Sequence, residues 1–181
     1  MTYELLIVVA IRLTVPLLIF RWPLWGGLAA LFVDAFDFLL VVMLPFGGYP
    51  LPNYHAIDKG LDTYYLAIEL LVSLRWPDLL CRRISIALFA YRLIGVVAFE
   101  LTGIRKLLIL FPNLFENFFL FYVAARRFAP DYELTGRRVA GWLGVLLVPK
   151  LAQEYALHYQ EWHRDAVDLL EDGLRWLRDR T

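Results

Sequence analysis

The sequence has one cysteine and no excess of charge of either sign. Its 18 basic and 18 acidic side chains give a formal net charge of zero, so the chain has no overall electropositive field that would attract nucleic acid. The single cysteine, Cys81, excludes an intrachain disulfide and gives no indication of an oxidising compartment. We expect Cys81 to be a small buried hydrophobic residue.

Catalytic signature motifs and a signal peptide are also missing. The chain contains no G-x-S-x-G, H-E-x-x-H or phosphate-binding P-loop sequence. The isolated pair Gly26-Gly27 is interpreted as a site of close helix packing. No basic n-region or small-residue cleavage site is evident, so we expect Met1–Phe20 to be retained as the first apolar segment.

Hydrophobic residues, in contrast, are abundant. They make up 60% of the chain, whereas soluble domains contain about 45–50%. A helix needs about 20 mainly apolar residues to cross a bilayer. Five segments approach this length: about Tyr3–Phe20, Trp25–Leu44, Ile57–Leu74, Ile84–Thr102 and Leu107–Ala125. A sixth run, Val139–Pro149, is shorter and crosses only if the helix continues through Ala156.

These segments predict an all-α, polytopic transmembrane helical bundle over residues 1–158. We expect five full spans and a partial or sixth span. From about Gln160, apolar residues recur at helical spacing and predict an amphipathic C-terminal helix over residues 159–181. This tail would pack on the membrane face or contact a partner.

Basic residues are distributed unevenly over the connections between the segments. The first, third and fifth connections carry eight: Arg21, Arg75, Arg82, Arg83, Arg126, Arg127, Arg137 and Arg138. The second and fourth carry three: Lys59, Arg105 and Lys106. Cytoplasmic loops are enriched in basic residues, so we predict that the odd connections face the cytoplasm and that the N-terminus lies outside. With no targeting segment evident, we expect a prokaryotic inner membrane.

Ionisable residues are the most informative feature of the apolar segments. At least eight fall within them: Arg12, Asp34, Asp37, Asp58, Asp62, Glu69, Arg92 and Glu116. Each would cost about 2.5–3.5 kcal/mol at the bilayer centre, so eight independent charges would exceed a folding stability of about 5–15 kcal/mol. Helical spacing places three groups on common faces: Asp34 with Asp37; Asp58, Asp62, Tyr65 and Glu69; and Asn113, Glu116 and Asn117. The sequence therefore predicts a shared polar interior.

Pairing accounts for part of this charge. Arg12 is expected to meet one of the two aspartates of the second segment, and Arg92 to meet Glu69 or Glu116. Two arginines cannot neutralise six carboxylates, so the remaining carboxyl groups must hold protons, bind cations or meet water.

The aspartates of the second and third segments have a partial family resemblance. Asp34-x-x-Asp37 followed by Asp58-x-x-x-Asp62 resembles the paired acids of the CDP-alcohol phosphotransferases, which hold divalent metals. Phe38 stands where that motif has glycine, and the 21 residues from Asp37 to Asp58 are more than the motif allows. The family's residue roles are therefore not carried over, but metal-dependent lipid chemistry stays among the alternatives.

The leading functional hypothesis is a small proton- or cation-linked transporter or channel in the lipid bilayer. Its predicted ion- or substrate-binding residues are Asp34, Asp37, Asp58, Asp62, Glu69, Asn113, Glu116 and Asn117, with Arg12 and Arg92 balancing charge. The four aspartates are also candidate ligands for a divalent cation, because such ions prefer oxygen ligands. One alternative is a metal-dependent membrane enzyme acting on a lipid or isoprenoid phosphate. Another is a non-catalytic subunit of a larger membrane complex, and a homo-oligomer is a further candidate assembly.

Overall fold

The protein is α-helical throughout the part of the chain that the structure describes. The computed structural model describes residues 3–43, 54–104, 107 and 110–158, and for residues 3–5, 36–43, 54–58 and 153–158 it describes the helical backbone. Six α-helices occur there: α1 Tyr3–Thr14, α2 Pro23–Met43, α3 Tyr54–Ser73, α4 Leu79–Thr102, α5 Leu114–Phe128 and α6 Gly136–His158. These residues include no strand, so the predicted all-α class is confirmed.

Successive helices from α1 to α5 run in alternating directions. Two contacts at different levels define the relative direction of neighbouring helices. For α1 with its 3₁₀ extension and α2 these are Arg12–Asp34 and Ile19–Gly26, and for α3 and α4 they are Ser73–Ser85 and Lys59–Glu100. For α4 and the fifth segment they are Gly95–Phe111 and Asp78–Arg126. Arg21 and Arg75, in the connections, and Arg126, in the last turn of α5, therefore lie at one end of the bundle. We call this the basic end. Lys59 and Glu100 mark the opposite end.

Pro16 alters the first apolar segment. The α-helix stops at Thr14, and Val15–Phe20 continues as a 3₁₀ helix, because proline has no N–H with which to continue the α-helical bonding. A β-carbon on Gly26 would lie 2.5 Å from the backbone nitrogen of Ile19. Glycine thus lets α2 pack against the 3₁₀ segment, and the interpretation of Gly26-Gly27 as a close-packing site is confirmed.

The fifth apolar segment is not a single helix. The chain is non-helical at Phe111, Pro112 and Asn113, and α5 begins only at Leu114. Pro112 lacks an N–H and disfavours a helical conformation in the residue before it. The prediction of one helix over Leu107–Ala125 is therefore wrong.

Side chains of α4 satisfy the backbone where the fifth segment is interrupted. Tyr91 donates a hydrogen bond to the carbonyl oxygen of Leu110 at 2.6 Å, and Arg92 donates one to that of Phe111 at 2.8 Å. Interrupted backbone is tolerated at membrane depth only where such groups are satisfied inside the protein. The polar residues of α4 therefore stabilise a broken helix.

The best-buried part of the bundle surrounds α5. Its core face consists of Phe115, Phe118, Phe119 and Tyr122, each at most 2% exposed. Trp76, from the α3–α4 connection, stacks on Tyr122 with ring centroids 3.7 Å apart and closes the core at the basic end.

The expected count of five full spans is not supported. Among the described residues, only Leu79–Thr102 is both long and apolar enough to cross a membrane; Leu6–Phe20 and Pro23–Ala35 are shorter apolar stretches. Pro16 shortens α1, and the break at Pro112 leaves α5 with 15 residues. At about 1.5 Å per residue, α5 is shorter than the hydrocarbon layer of about 30 Å.

The sixth apolar run forms one continuous helix. α6 extends through Ala156 to His158 and contains Pro149. It packs on α5 near its start, where Val139 is fully buried and Trp142 lies 4.8 Å from Phe121 between ring centroids. The predicted amphipathic tail, residues 159–181, lies outside the described residues.

Substitution of Gly95 tests the packing of α4 on the broken segment. A β-carbon there would lie 2.2 Å from that of Phe111, so we expect Gly95→Ala to lower the unfolding free energy by about 1–3 kcal/mol through overpacking. Gly141→Ala in α6 is the matched control, since no atom lies within 4 Å of its added carbon. Thermal unfolding in detergent measures both variants. Equal stability of Gly95→Ala and wild type would contradict the close contact.

Candidate functional site

A stripe of polar residues runs along the inward face of α3. Its members recur every three or four residues, which places them on one side of the helix: Lys59, Asp62, Tyr65, Glu69 and Ser73. Each has a described hydrogen bond or ion pair with another polar side chain. The stripe thus connects the Lys59–Glu100 end with the basic end.

Arg12 joins the first three helices through two ion pairs. Its guanidinium group contacts the carboxylates of Asp34 on α2 and Asp62 on α3. The Arg12 side chain is only 4% exposed, whereas Asp34 and Asp62 are 35% and 40% exposed. The pairing with Asp34 agrees with the sequence-based expectation, and Asp62 is an additional partner.

Glu69 lies at the centre of the bundle. It is fully buried, and its Oε1 accepts a hydrogen bond of 2.9 Å from the Tyr65 hydroxyl one turn earlier on α3. Its Oε2 makes no hydrogen bond with any residue that the structure describes. Because Ser73 contacts Ser85 and Lys59 contacts Glu100, Glu69 lies beside the middle of α4.

Gly27 makes space for the Glu69 carboxyl group. A β-carbon at this position would lie 3.7 Å from Glu69 Oε1 and 2.8 Å from Leu120 Cδ2 of α5. Glycine therefore allows α2, α3 and α5 to meet around one carboxyl group. This role was not recognised in the sequence, where Gly27 indicated packing alone.

Glu116 brings a second carboxyl group to the same region. It is 4% exposed, and its Oε2 accepts a hydrogen bond of 2.6 Å from Asn113 Nδ2. Both residues lie at the N-terminus of α5, where the partial positive charge of the helix stabilises a carboxylate. Glu116 and Glu69 repel each other when both are ionised.

The other predicted site residues have more varied positions. Arg92 is half-buried and donates to the Phe111 carbonyl, while Asn117 is half-buried in the first turn of α5. Asp37 and Asp58 belong to α2 and α3, but their side chains lie outside the described part of the structure. Their grouping with Asp34 and Asp62 stays a prediction. Among the side chains described, no group of three or more His, Cys, Asp or Glu could hold a metal ion.

A polar cluster at the basic end was missed in the sequence. Asp78 receives a hydrogen bond from Tyr122 at 3.1 Å and forms an ion pair with Arg126. Asp78 precedes α4, whereas Tyr122 and Arg126 lie 44 and 48 positions later in α5, so no local pattern relates Asp78 to them. An open cleft of about 300 Å³ lies beside them and is lined by the α5–α6 connection.

Comparison of the chain with protein families, curated proteins and solved structures gives no match. The geometry of the polar interior is therefore the basis for assigning a function.

Replacement of Arg12 tests whether its ion pairs hold α1, α2 and α3 together. We expect Arg12→Gln to destabilise the fold, because two carboxylates would lose a shared cation. Breaking a fully buried ion pair costs about 3–5 kcal/mol, whereas an exposed pair contributes about 0–1 kcal/mol. Because both carboxylates are partly exposed, we expect the unfolding free energy to fall by about 2 kcal/mol. Thermal unfolding provides the measurement.

Two comparisons complete this test. Arg21→Gln, at an exposed arginine, should leave stability nearly unchanged. Adding Asp34→Asn to Arg12→Gln should recover part of the loss, since one uncompensated charge is removed. An Arg12→Gln protein as stable as wild type would show that the ion pairs do not hold the helices.

Proposed function

We propose that the protein is a small membrane-embedded transporter or channel that conducts protons, with Glu69 as its central proton-binding group. The observation that carries this proposal is the fully buried Glu69 carboxyl group in a bundle with an apolar outer surface. A carboxyl group in such surroundings must be neutral or be compensated by a cation. Intramembrane acidic residues typically mark ion pathways and proton relays.

The distribution of side chains supports a position within lipid. More of the large hydrophobic side chains described are exposed than buried, including Trp25, Phe32, Ile94 and Leu101. Only 11% of the most apolar stretch of α4 is buried inside the bundle, whereas the core helix of a soluble protein is mostly buried. The interior meanwhile holds Arg12, Glu69 and Glu116. Large exposed apolar surfaces on soluble proteins are rare, so a bilayer is the surrounding that suits this one.

The charge at the basic end supports an orientation. Arg21, Arg75 and Arg126 lie at this end, and basic residues are enriched on the cytoplasmic side of membrane proteins. We place the basic end in the cytoplasm and the Lys59–Glu100 end outside.

The dimensions of the interior favour protons over larger ions. The partly open cavity beside Arg12, Asp34 and Tyr65 has a volume of about 10 Å³. Such a space holds one water molecule and excludes a hydrated metal ion. The polar stripe of α3 offers hydroxyl and carboxyl groups that exchange protons, with Tyr65 already hydrogen-bonded to Glu69.

Proton flux into liposomes tests the proposed function. The purified protein is reconstituted with an internal pH-sensitive dye, and a potassium diffusion potential drives proton entry. We expect wild type to acidify the lumen, also when sodium is replaced by an impermeant organic cation. Glu69→Gln keeps the shape of the side chain but removes its titrating proton, so we expect flux to fall by at least about tenfold.

A surface glutamate serves as the matched control. Glu133→Gln, in the exposed α5–α6 connection, should conduct like wild type. Absence of flux in wild type, or full flux in Glu69→Gln, would contradict the proposal. Turnover of a lipid phosphate instead of flux would favour an enzyme.

A further inference from the structure

Tyr65 lies between the Arg12–Asp34 ion pair and the Glu69 carboxyl group. On one side its hydroxyl donates to Glu69 Oε1 at 2.9 Å. On the other side it lines a cavity of about 10 Å³ whose wall also includes Arg12 and Asp34. Tyr65 itself is only 5% exposed, so its side chain lies inside the bundle.

We propose that this cavity binds one water molecule, and that this water and the Tyr65 hydroxyl relay protons from Asp34 to Glu69. The relay rests on the proposed proton conduction and specifies its path. The cavity volume of about 10 Å³ is close to the space that one buried water requires. A buried water also requires two to four polar partners, which Arg12, Asp34 and Tyr65 supply.

The donor and acceptor capacities of these groups fit one water. The single hydroxyl proton of Tyr65 is used on Glu69, so toward a water molecule its oxygen can act only as an acceptor. Arg12 has only donors, and an ionised Asp34 has only acceptors. The water can accept a hydrogen bond from Arg12 while donating to Asp34 and to Tyr65, which uses both of its protons.

The relay is balanced in protons and transfers no electrons. The Tyr65 O–H bond breaks as its proton moves to an ionised Glu69, and a new O–H bond forms as the water gives a proton to the tyrosine oxygen. A protonated Asp34 restores the water and becomes a carboxylate beside Arg12. One proton has then left Asp34 and one has reached Glu69. Asp34 is 35% exposed, so it can be recharged from outside the cavity.

Adjacent tyrosines give a matched test. Tyr65→Phe removes the relaying hydroxyl, and we expect proton flux in liposomes to fall by at least about tenfold. Tyr64→Phe removes a hydroxyl that bonds the Leu13 carbonyl at 3.0 Å on the exposed side, and its flux should match wild type. Thermal unfolding of both variants establishes that the comparison is between folded proteins.

A second variant blocks the water site and leaves Tyr65 intact. Ala30 lines the cavity, and Ala30→Val adds carbon atoms to it, so we expect a similar fall in flux. This variant decides the question if Tyr65→Phe does not fold. Wild-type flux in Tyr65→Phe, or in Ala30→Val when the former is unfolded, would overturn the relay. If the relay were overturned but Glu69→Gln still abolished conduction, the proposed proton conduction through Glu69 would stand without the relay. Absence of proton flux in wild type would contradict both the relay and the proposed function.

Discussion

The buried Glu69 carboxyl group imposes requirements on every helix around it. A carboxyl group enclosed by apolar side chains is unfavourable without hydrogen bonds or neutralisation. Tyr65 supplies a hydrogen bond from the same helix, and Gly27 supplies space by letting α2 approach without a side chain. The bundle therefore combines tight packing with one carboxyl oxygen that has no described hydrogen-bond partner.

The break before α5 belongs to the same arrangement. Because Pro112 interrupts the helix, the N-terminus of α5 lies inside the bundle and holds Asn113 and Glu116 there. Discontinuous helices of membrane transporters use such helix ends to bind ions and substrates. Tyr91 and Arg92 satisfy the exposed carbonyl groups, so these two polar residues in the mainly apolar middle of α4 have a structural role.

The lengths of the apolar runs predict where most helices lie along the chain. The site depends in addition on how each helix is rotated about its own axis. The predicted segment Trp25–Leu44 closely matches α2. In the fifth segment, the long apolar run on both sides of Pro112 concealed the break at this proline. Consecutive segments are antiparallel, and Arg12 and the aspartates of the second segment lie at similar depth. This was enough to predict that Arg12 pairs with the second segment. Helical spacing also predicted that Asp62, Tyr65 and Glu69 share one face of α3. The contact of Arg12 with Asp62 could not be predicted, because it depends on how packing turns α3 about its axis.

Infrared difference spectroscopy of the protein in lipid tests the central claim most directly, because a carboxyl group shows a C=O stretching band only when protonated. The spectrum is recorded as the pH of the surrounding medium is changed. If Glu69 exchanges protons through the bundle, a carboxyl band will appear and disappear reversibly and will be missing in Glu69→Gln. A spectrum without such a band, or one unchanged in Glu69→Gln, would contradict a proton-binding role for this residue.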